Sequence, residues 1–277
     1  MEECQVQVVD AQKENADKLF PYVIRCLQKF SNQEKKIIAI SGGSGVGKTG
    51  MAWLLKQRLE YQRIPAIIIS GDYYPHRVPF YNDAERLRIF RLAGLKGLLE
   101  EGIYNADVRD ELKDLQIKNQ DADEKMINKY SWLEIYQKKG DKALEEYLGT
   151  EKELLFSEVS SVLSAFKNKT PMLMVRQMGR EVHDVWYEQV DVSKKQVLIL
   201  EWTHANSDLL KGIDVSIVLK STPEQTLENR KTRNRDKEIE SPFVARVLRI
   251  EQEKIDATLQ KADLIQDMQG NILSKED

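Results

Sequence analysis

The chain has 277 residues, 41% hydrophobic and 31% charged, enough for a full core beneath a well-solvated surface, in one large domain or two small ones. Its net charge of −3 excludes the broad basic face that bulk nucleic-acid binding needs, though not a local basic pocket for phosphates. The cysteines, Cys4 and Cys26, have neither metal nor disulfide spacing. Met1-Glu2-Glu3 is acidic where a signal peptide is basic, and no apolar run nears about 18 residues, so a cytoplasmic chain without a membrane partner is expected.

Residues 4–9 alternate loosely and predict a short edge strand. Leu19, Val23, Ile24, Leu27 and Phe30 recur at helical spacing, so a helix over about 15–30 should pack one apolar face, giving residues 1–35 the look of an extension on the core. A β-branched strand at 36–41 (Ile37, Ile38, Ile40) then feeds Gly42-Gly43-Ser44-Gly45-Val46-Gly47-Lys48-Thr49, the G-x-x-x-x-G-K-T pattern of a P-loop, and a helix follows from 48 to about 62. Glycines free such a loop to wrap an anion, successive N–H groups point inward, and the helix N-terminus adds partial positive charge. Lys48 is then placed for the β- and γ-phosphates of a nucleoside triphosphate and Thr49 for Mg²⁺.

Pro65 ends that helix, and Ala66–Ser70 is a second buried strand closing on Gly71-Asp72-Tyr73-Tyr74-Pro75-His76-Arg77. Near-continuous apolar strands alternating with helices indicate a parallel sheet, whose ligands bind beyond the carboxyl ends of the strands, so Asp72 shares an edge with the P-loop. Asn82 or Asp83 is the expected cap of a helix running to about Glu101 and carrying Arg86, Arg88 and Arg91. Residues 103–150 are polar and helical and predict an inserted subdomain, followed by a helix over 151–167. Residues 172–176 form a candidate strand, with 182–190 as its partner. Arg176 and Arg180 flank Met178-Gly179 and are candidates for an acidic substrate. Trp132, Trp186 and Trp202 read as packing residues, and His183 and His204 as polar turn residues.

The core resumes with a strand at 196–202 that ends in Glu201, then another at 214–220. Ser221 or Thr222 with Pro223 and Glu224 marks a helix start carrying Arg230, Arg233 and Arg235. Ser241-Pro242 starts the next helix, with apolar positions through Leu259, and 262–265 is a last short strand. The expected fold class is therefore α/β: a three-layer P-loop NTPase fold with a five-stranded, mostly parallel sheet, helices on both faces and a helical insertion at about 103–150.

Among P-loop proteins, a guanine-specific N-K-x-D is missing, since Asn128-Lys129 and Asn168-Lys169 lack the Asp, and no Asp-Glu pair ends the strand at Glu201. What remains suits phosphoryl transfer to a hydroxyl: a carboxylate after the second strand, another after a later strand, and a basic helix. Asp72 is placed to act as base and Glu201 to serve the metal. Of the three arginines at most two can face the nucleotide, Arg235 first, then Arg230, with Arg233 third. Tyr73, Tyr74 and His76 are candidates for the substrate pocket.

Residues 40–49, Asp72-Tyr73-Tyr74, the strand ending in Glu201, Arg233-Asn234-Arg235-Asp236 and Ala262-Asp263-Leu264-Ile265 fall in one order, and in that order the chain resembles the phosphoribulokinase/uridine kinase family. The resemblance implies that Asp72 accepts the proton of the acceptor hydroxyl, that Glu201 helps hold Mg²⁺ through water, and that 223–243 is a lid whose arginines close over the phosphates. It covers both ends of the catalytic core and not the middle, roughly 85–190. The arginine-glycine that usually follows the lid's Arg-Asp is missing, and so are the nucleoside-holding elements of uridine kinases in 168–190. Gly71-Asp72 with His76-Arg77 is also similar to adenylylsulfate kinases, without that family's lysine-glycine-leucine-tyrosine signature. The implied protein is an ATP- and Mg²⁺-dependent kinase of a nucleoside-, sugar- or polyol-like metabolite, with a homodimer common in the family. The alternative of another class is a nucleotide-dependent switch that docks a partner on its insertion.

Overall fold

The computed structural model describes residues 9–31, 34–233 and 241–274. In chain order the elements are α1 (Asp10–Leu27), β1 (Lys36–Gly42), α2 (Lys48–Tyr61), β2 (Ala66–Ser70), α3 (Pro79–Glu100), α4 (Ala106–Ile117), α5 (Leu133–Glu145) and α6 (Phe156–Lys167). They continue with β3 (Met172–Met178), β4 (Val185–Asp191), β5 (Val197–Glu201), β6 (Val215–Leu219), α7 (Leu227–Arg233), α8 (Pro242–Asp256), β7 (Leu264–Gln266) and β8 (Ile272–Leu273). The expected edge strand at 4–9 falls largely outside the described residues.

β1 is buried along almost its whole length because both of its faces are covered. The sheet order is β2-β5-β1-β6-β7-β8, with the first five strands parallel and β8 antiparallel at the edge. The expected five-stranded sheet is thus six-stranded, the two-residue β8 being too short to leave a pattern in the sequence. One face packs α1 and α2 through Leu19, Val23, Leu55 and Leu59 on Ile38, Ile40 and Ile217. The other face packs α6 and β3, with Phe156, Phe166 and Trp202 on Ile37, Ile69 and Leu200.

The register carries the function. Ile40 and Ser70 both pair with Glu201, so the ends of β1, β5 and β2 finish level, with β5 between the P-loop strand and the Asp72 strand. β3 and β4 form a separate antiparallel hairpin, as the pairing of 172–176 with 182–190 anticipated. Trp186 is the exception among the expected packing tryptophans, since it lies on that hairpin 46% exposed.

The helices of the 103–150 segment, α4 and α5, share a core with α3, built of Phe90, Leu98, Leu112, Leu133, Tyr136 and Leu144 and joined by Val247 and Ile250 of α8. Glycines let α3 and α5 approach closely: a Cβ on Gly94 would stand 2.5 Å from Tyr136, and one on Gly140 2.4 Å from Phe90. Arg246 ties α8 to this unit, donating to the carbonyl of Ala122 at 2.6 Å, to Asp141 at 2.6 Å and to Gln137.

Three helix starts differ from the sequence reading. α3 begins at Pro79 after Val78, so Asn82 is a buried residue of its first turn and not a cap. α6 begins at Phe156, because residues 149–155 instead pair with the loop after β2. α7 becomes regular only at Leu227, a turn past the expected start, although Thr222 and Gln225 exchange the backbone-to-side-chain hydrogen bonds of a capping box, as the expected cap at Thr222 requires. Ser241 caps α8 as expected, accepting from the Val244 N–H at 3.2 Å, though the helix stops at Asp256, short of Leu259. Among the described residues no helix is long and apolar enough to cross a membrane.

Candidate active site

The P-loop follows β1 without interruption. Gly42, Gly45 and Gly47 have φ of 148°, 83° and 102°, a region that side-chain-bearing residues rarely adopt, which is why the loop needs glycine there. Gly43 and Ser44 stay partly accessible at the mouth while Val46 turns inward toward the α2 side of the core. Lys48, first residue of α2, folds back over the loop and donates to the carbonyls of Gly42 at 2.9 Å and Gly43 at 3.0 Å. Its ammonium is thereby held at the mouth of the loop, where a phosphate chain would lie.

Beside it, the Thr49 hydroxyl donates to Glu201 Oε2 at 3.2 Å, and the Ser70 hydroxyl donates to Glu201 Oε1 at 2.6 Å. Glu201 is 4% exposed, and burial, reinforced by the charge of Asp72, raises its carboxyl above the ordinary range. A hydroxyl and a carboxylate at the edge of a phosphate loop form the hard oxygen set that suits Mg²⁺, and the site fits such an ion. Ser70 is the member sequence reasoning missed; its signal was its place at the end of the strand next to Glu201.

Asp72 sits exposed in a single 3₁₀ turn, Gly71–Tyr73, that leaves the end of β2. The turn is fixed from below by Trp202: a Cβ on Gly71 would lie 2.1 Å from the indole Cγ. It is fixed from the side by Arg176, whose guanidinium donates to the carbonyls of Tyr73 at 2.8 Å and Pro75 at 3.3 Å. It is fixed from above by residues 151–155, where the Leu155 N–H donates to Tyr74, the His76 N–H to Glu153, and the His76 ring meets the Glu151 carbonyl at 2.9 Å.

These contacts correct part of the expected substrate pocket. Tyr74 is fully buried in the core under the sheet, and burial pushes its hydroxyl up to about 12, so it lines no pocket. Arg176 is buried and spent on loop carbonyls, so it holds the Asp72 loop in place of an acidic substrate. Arg180 is exposed in the turn of the hairpin, apart from this cluster of contacts. Tyr73 is half-buried and His76 exposed, both beside Asp72.

On the other side of the P-loop, α7 packs against Gly45. The Asn229 side chain donates to the Gly45 carbonyl at 3.0 Å, and a Cβ on Gly45 would meet Arg230 Cγ at 2.8 Å. Arg230 is 8% exposed and donates through Nη2 to the Pro223 carbonyl at 2.7 Å, while its Nε and the nearby Ser221 hydroxyl are buried without partners among the described residues. Two orphaned polar groups against a phosphate loop fit a polar ligand there. A cavity of about 710 Å³ opens next to them between Thr222, Leu227, Arg230, Arg249 and Gln252. Arg233 is the last residue of α7, and Arg235 lies outside the described residues.

The sequence also gave no warning of a buried polar cluster that joins the insertion to this edge. Arg86 pairs with Glu153 at 2.6 Å and with Glu251 at 3.0 Å, and Asn82 donates to Glu153 at 3.0 Å. Burial opposes ionisation of Glu153, yet Arg86, the Gly149 N–H and Asn82 together hold its carboxyl below the usual range. Glu251, raised chiefly by burial, faces Gly43 and Ser44 of the P-loop. His204 adjoins the cluster. Its ring stands edge-on to Trp202 at 5.7 Å, and burial pushes it down to about 4, so it is neutral near pH 7.

The strand order and this loop define a P-loop α/β fold. It is similar in structure to a D-glycerate 3-kinase from Cryptococcus neoformans (11% identity, TM-score 0.51, covering 96% of this chain and 99% of the other). A candidate fructose transport system kinase from Silicibacter sp. TM1040 is alike to the same degree (15% identity, TM-score 0.51, covering 88% and 94%). In sequence the chain is 35% identical, over 240 residues, to the bifunctional alpha-galactosidase/sucrose kinase AgaSK of Mediterraneibacter gnavus. That match takes in 87% of this chain and 21% of the length of that relative. No protein-family model matches the chain.

Proposed function

We propose that the protein is an ATP-dependent kinase that transfers the γ-phosphate to a hydroxyl of a neutral sugar, with sucrose as the first acceptor to test. The observation that carries the reading is the level ending of β1, β5 and β2. It sets the phosphate loop, Glu201 and Asp72 side by side on one edge of the sheet. Of the two activities that name the bifunctional alpha-galactosidase/sucrose kinase to which the chain is similar, a P-loop fold suits the kinase, which favours sucrose as the first acceptor.

The charges around Asp72 support a neutral acceptor. Among the described residues the two arginines at the Asp72 loop are engaged, Arg176 by the carbonyls of Tyr73 and Pro75 and Arg77 by the Tyr147 hydroxyl at 3.3 Å and Glu85 at 3.8 Å. Neither is left wholly to the charge of an acid or a phosphorylated acceptor. A polyol would meet donors and acceptors.

In this mechanism the loop N–H groups and Lys48 bind the β- and γ-phosphates, with Arg230 approaching from α7. Thr49 and Glu201 would hold Mg²⁺, which when bound neutralises charge on the transferring group. Asp72 accepts the proton of the acceptor hydroxyl as its oxygen bonds to the γ-phosphorus and the bond to the β–γ bridging oxygen breaks, releasing ADP. Most of the catalysis is positioning and electrostatics, which the rigid support of the Asp72 turn serves.

The test is incubation of the protein with MgATP and, separately, sucrose, fructose, D-glycerate, uridine and adenylylsulfate, followed by mass spectrometry. A sucrose or other neutral sugar monophosphate with stoichiometric ADP is the expected product. Phosphorylation of only the acid or the nucleotide overturns the neutral-sugar reading, and slow ADP release without any phosphorylated product favours the switch.

A further inference from the structure

β5 runs between the strand that carries the P-loop and the strand that carries Asp72, so the residues just past Glu201 lie between donor and base. Trp202 turns into the core beneath Gly71. His204, two residues further, packs beside the Trp202 ring and is partly exposed. Its ring is confined on three sides. Trp202 stands edge-on at 5.7 Å, Phe156 at 6.4 Å, and Gly149 backs it so closely that a Cβ there would lie 2.6 Å from the imidazole Cε1. Gly149 has φ of 62° and donates its N–H to Glu153, the residue whose carbonyl receives the His76 N–H from the Asp72 loop. The imidazole feels the charges of Glu153 and Arg86 and, more weakly, those of Lys254 and Lys48. Neither ring nitrogen has a hydrogen-bond partner among the described residues.

We infer that His204 is a substrate-binding residue, its imidazole hydrogen-bonding a hydroxyl of the sugar acceptor while Asp72 takes the proton of the reacting one. A glycine in left-handed conformation, two aromatic edges and a paired Arg86–Glu153 couple make a rigid seat for one imidazole whose nitrogens serve no other group. A neutral imidazole offers one donor and one acceptor, the same complement as a hydroxyl. A packing role alone would not call for nitrogens: phenylalanine would fill the same aromatic corner. This inference rests on the sugar-kinase reading.

Steady-state kinetics with sucrose and ATP separate the two. For His204→Phe, the KM for sucrose should rise by about tenfold or more, as when one hydrogen bond to a buried hydroxyl is lost, with the KM for ATP within about twofold of wild type. His204→Gln, which keeps a donor and an acceptor, should recover part of that loss. Unchanged sucrose KM in His204→Phe, or an equal rise for both substrates, overturns the assignment and leaves the kinase reading standing. A wild-type protein that phosphorylates no neutral sugar defeats the reading itself, before any variant is made. An activity-independent measurement guards against a variant that does not fold. The chain has three histidines, so the ring ¹⁵N signals of wild-type protein are few. Titration with sucrose should move those of His204, and absence of any movement at saturating sucrose also overturns the assignment.

Discussion

Replacing Gly71 by alanine tests whether the Asp72 turn is set by its seat on Trp202. The added Cβ would lie 2.1 Å from Trp202 Cγ, 2.3 Å from Cδ2 and 2.5 Å from Cβ, whereas ordinary contact begins near 3.4 Å. One group must therefore move by 3.4 − 2.1, or about 1.3 Å. Trp202 is 2% exposed and packed against Phe156 at 4.9 Å, so it has little room to retreat, and the turn must rise. Overpacking of this kind costs about 1–3 kcal/mol of stability, and an ångström of misplacement at a reacting group costs on the order of a hundredfold in rate. The expected result for Gly71→Ala is a kcat for sucrose phosphorylation lowered by about a hundredfold with the KM for ATP nearly unchanged. Circular dichroism and urea melts should place the protein as folded. In a Trp202→Ala background, which lacks the Cγ and Cδ2 atoms nearest the added Cβ, Gly71→Ala should cost much less activity, a non-additivity that a double-mutant cycle measures directly. A Gly71→Ala protein with kcat within twofold of wild type would refute the claim that this contact positions Asp72.

Lys48→Ala should abolish ATP-dependent turnover while leaving the melting curve close to wild type, because the two carbonyls its ammonium contacts belong to the P-loop itself. Glu201→Gln should lower kcat at least tenfold and raise the Mg²⁺ concentration needed for half-maximal rate, measured by titrating Mg²⁺ at fixed ATP. Arg246→Met should destabilise the protein by about 3 kcal/mol or more in urea unfolding, since it strips Asp141, Gln137 and the Ala122 carbonyl of one buried donor. The pH dependence of stability carries a further sign. His204 is held at about 4 when folded against an ordinary 6.5, so below pH 6.5 the unfolded chain gains a proton that the folded one refuses. Stability should fall by up to about 3 kcal/mol between pH 6.5 and 4, and His204→Phe should flatten melting temperature across that window.

How much was legible before folding depends on how local each constraint is. The P-loop was readable residue by residue, because its glycines, lysine and threonine act within one turn and one helix start, and each is demanded by backbone geometry or by phosphate chemistry. Asp72 and Glu201 were readable as carboxylates closing buried strands, since a parallel sheet puts strand ends on one edge whatever its order. Arg176 and Tyr74 were misread for the opposite reason. Each looks like a pocket residue in sequence, and only a contact about a hundred residues away, Arg176 to Tyr73, makes one a brace and seals the other in the core.

What the sequence by itself determined is the P-loop: strand, glycine-rich turn, lysine and threonine, all encoded within residues 36–49. The order β2-β5-β1 and the level register of Ile40, Glu201 and Ser70 were decided only in three dimensions, and they turn separate carboxylates into one edge. The polar cluster beside the Asp72 loop was wholly tertiary. Arg86, Glu153, His204 and Glu251 come from four distant segments, and their meaning lies in pairing and burial, which no periodicity records. Burial fixes which charges survive. Here it spends the arginines on carboxylates and carbonyls and leaves His204 neutral, a balance that a sequence of separate charges does not contain.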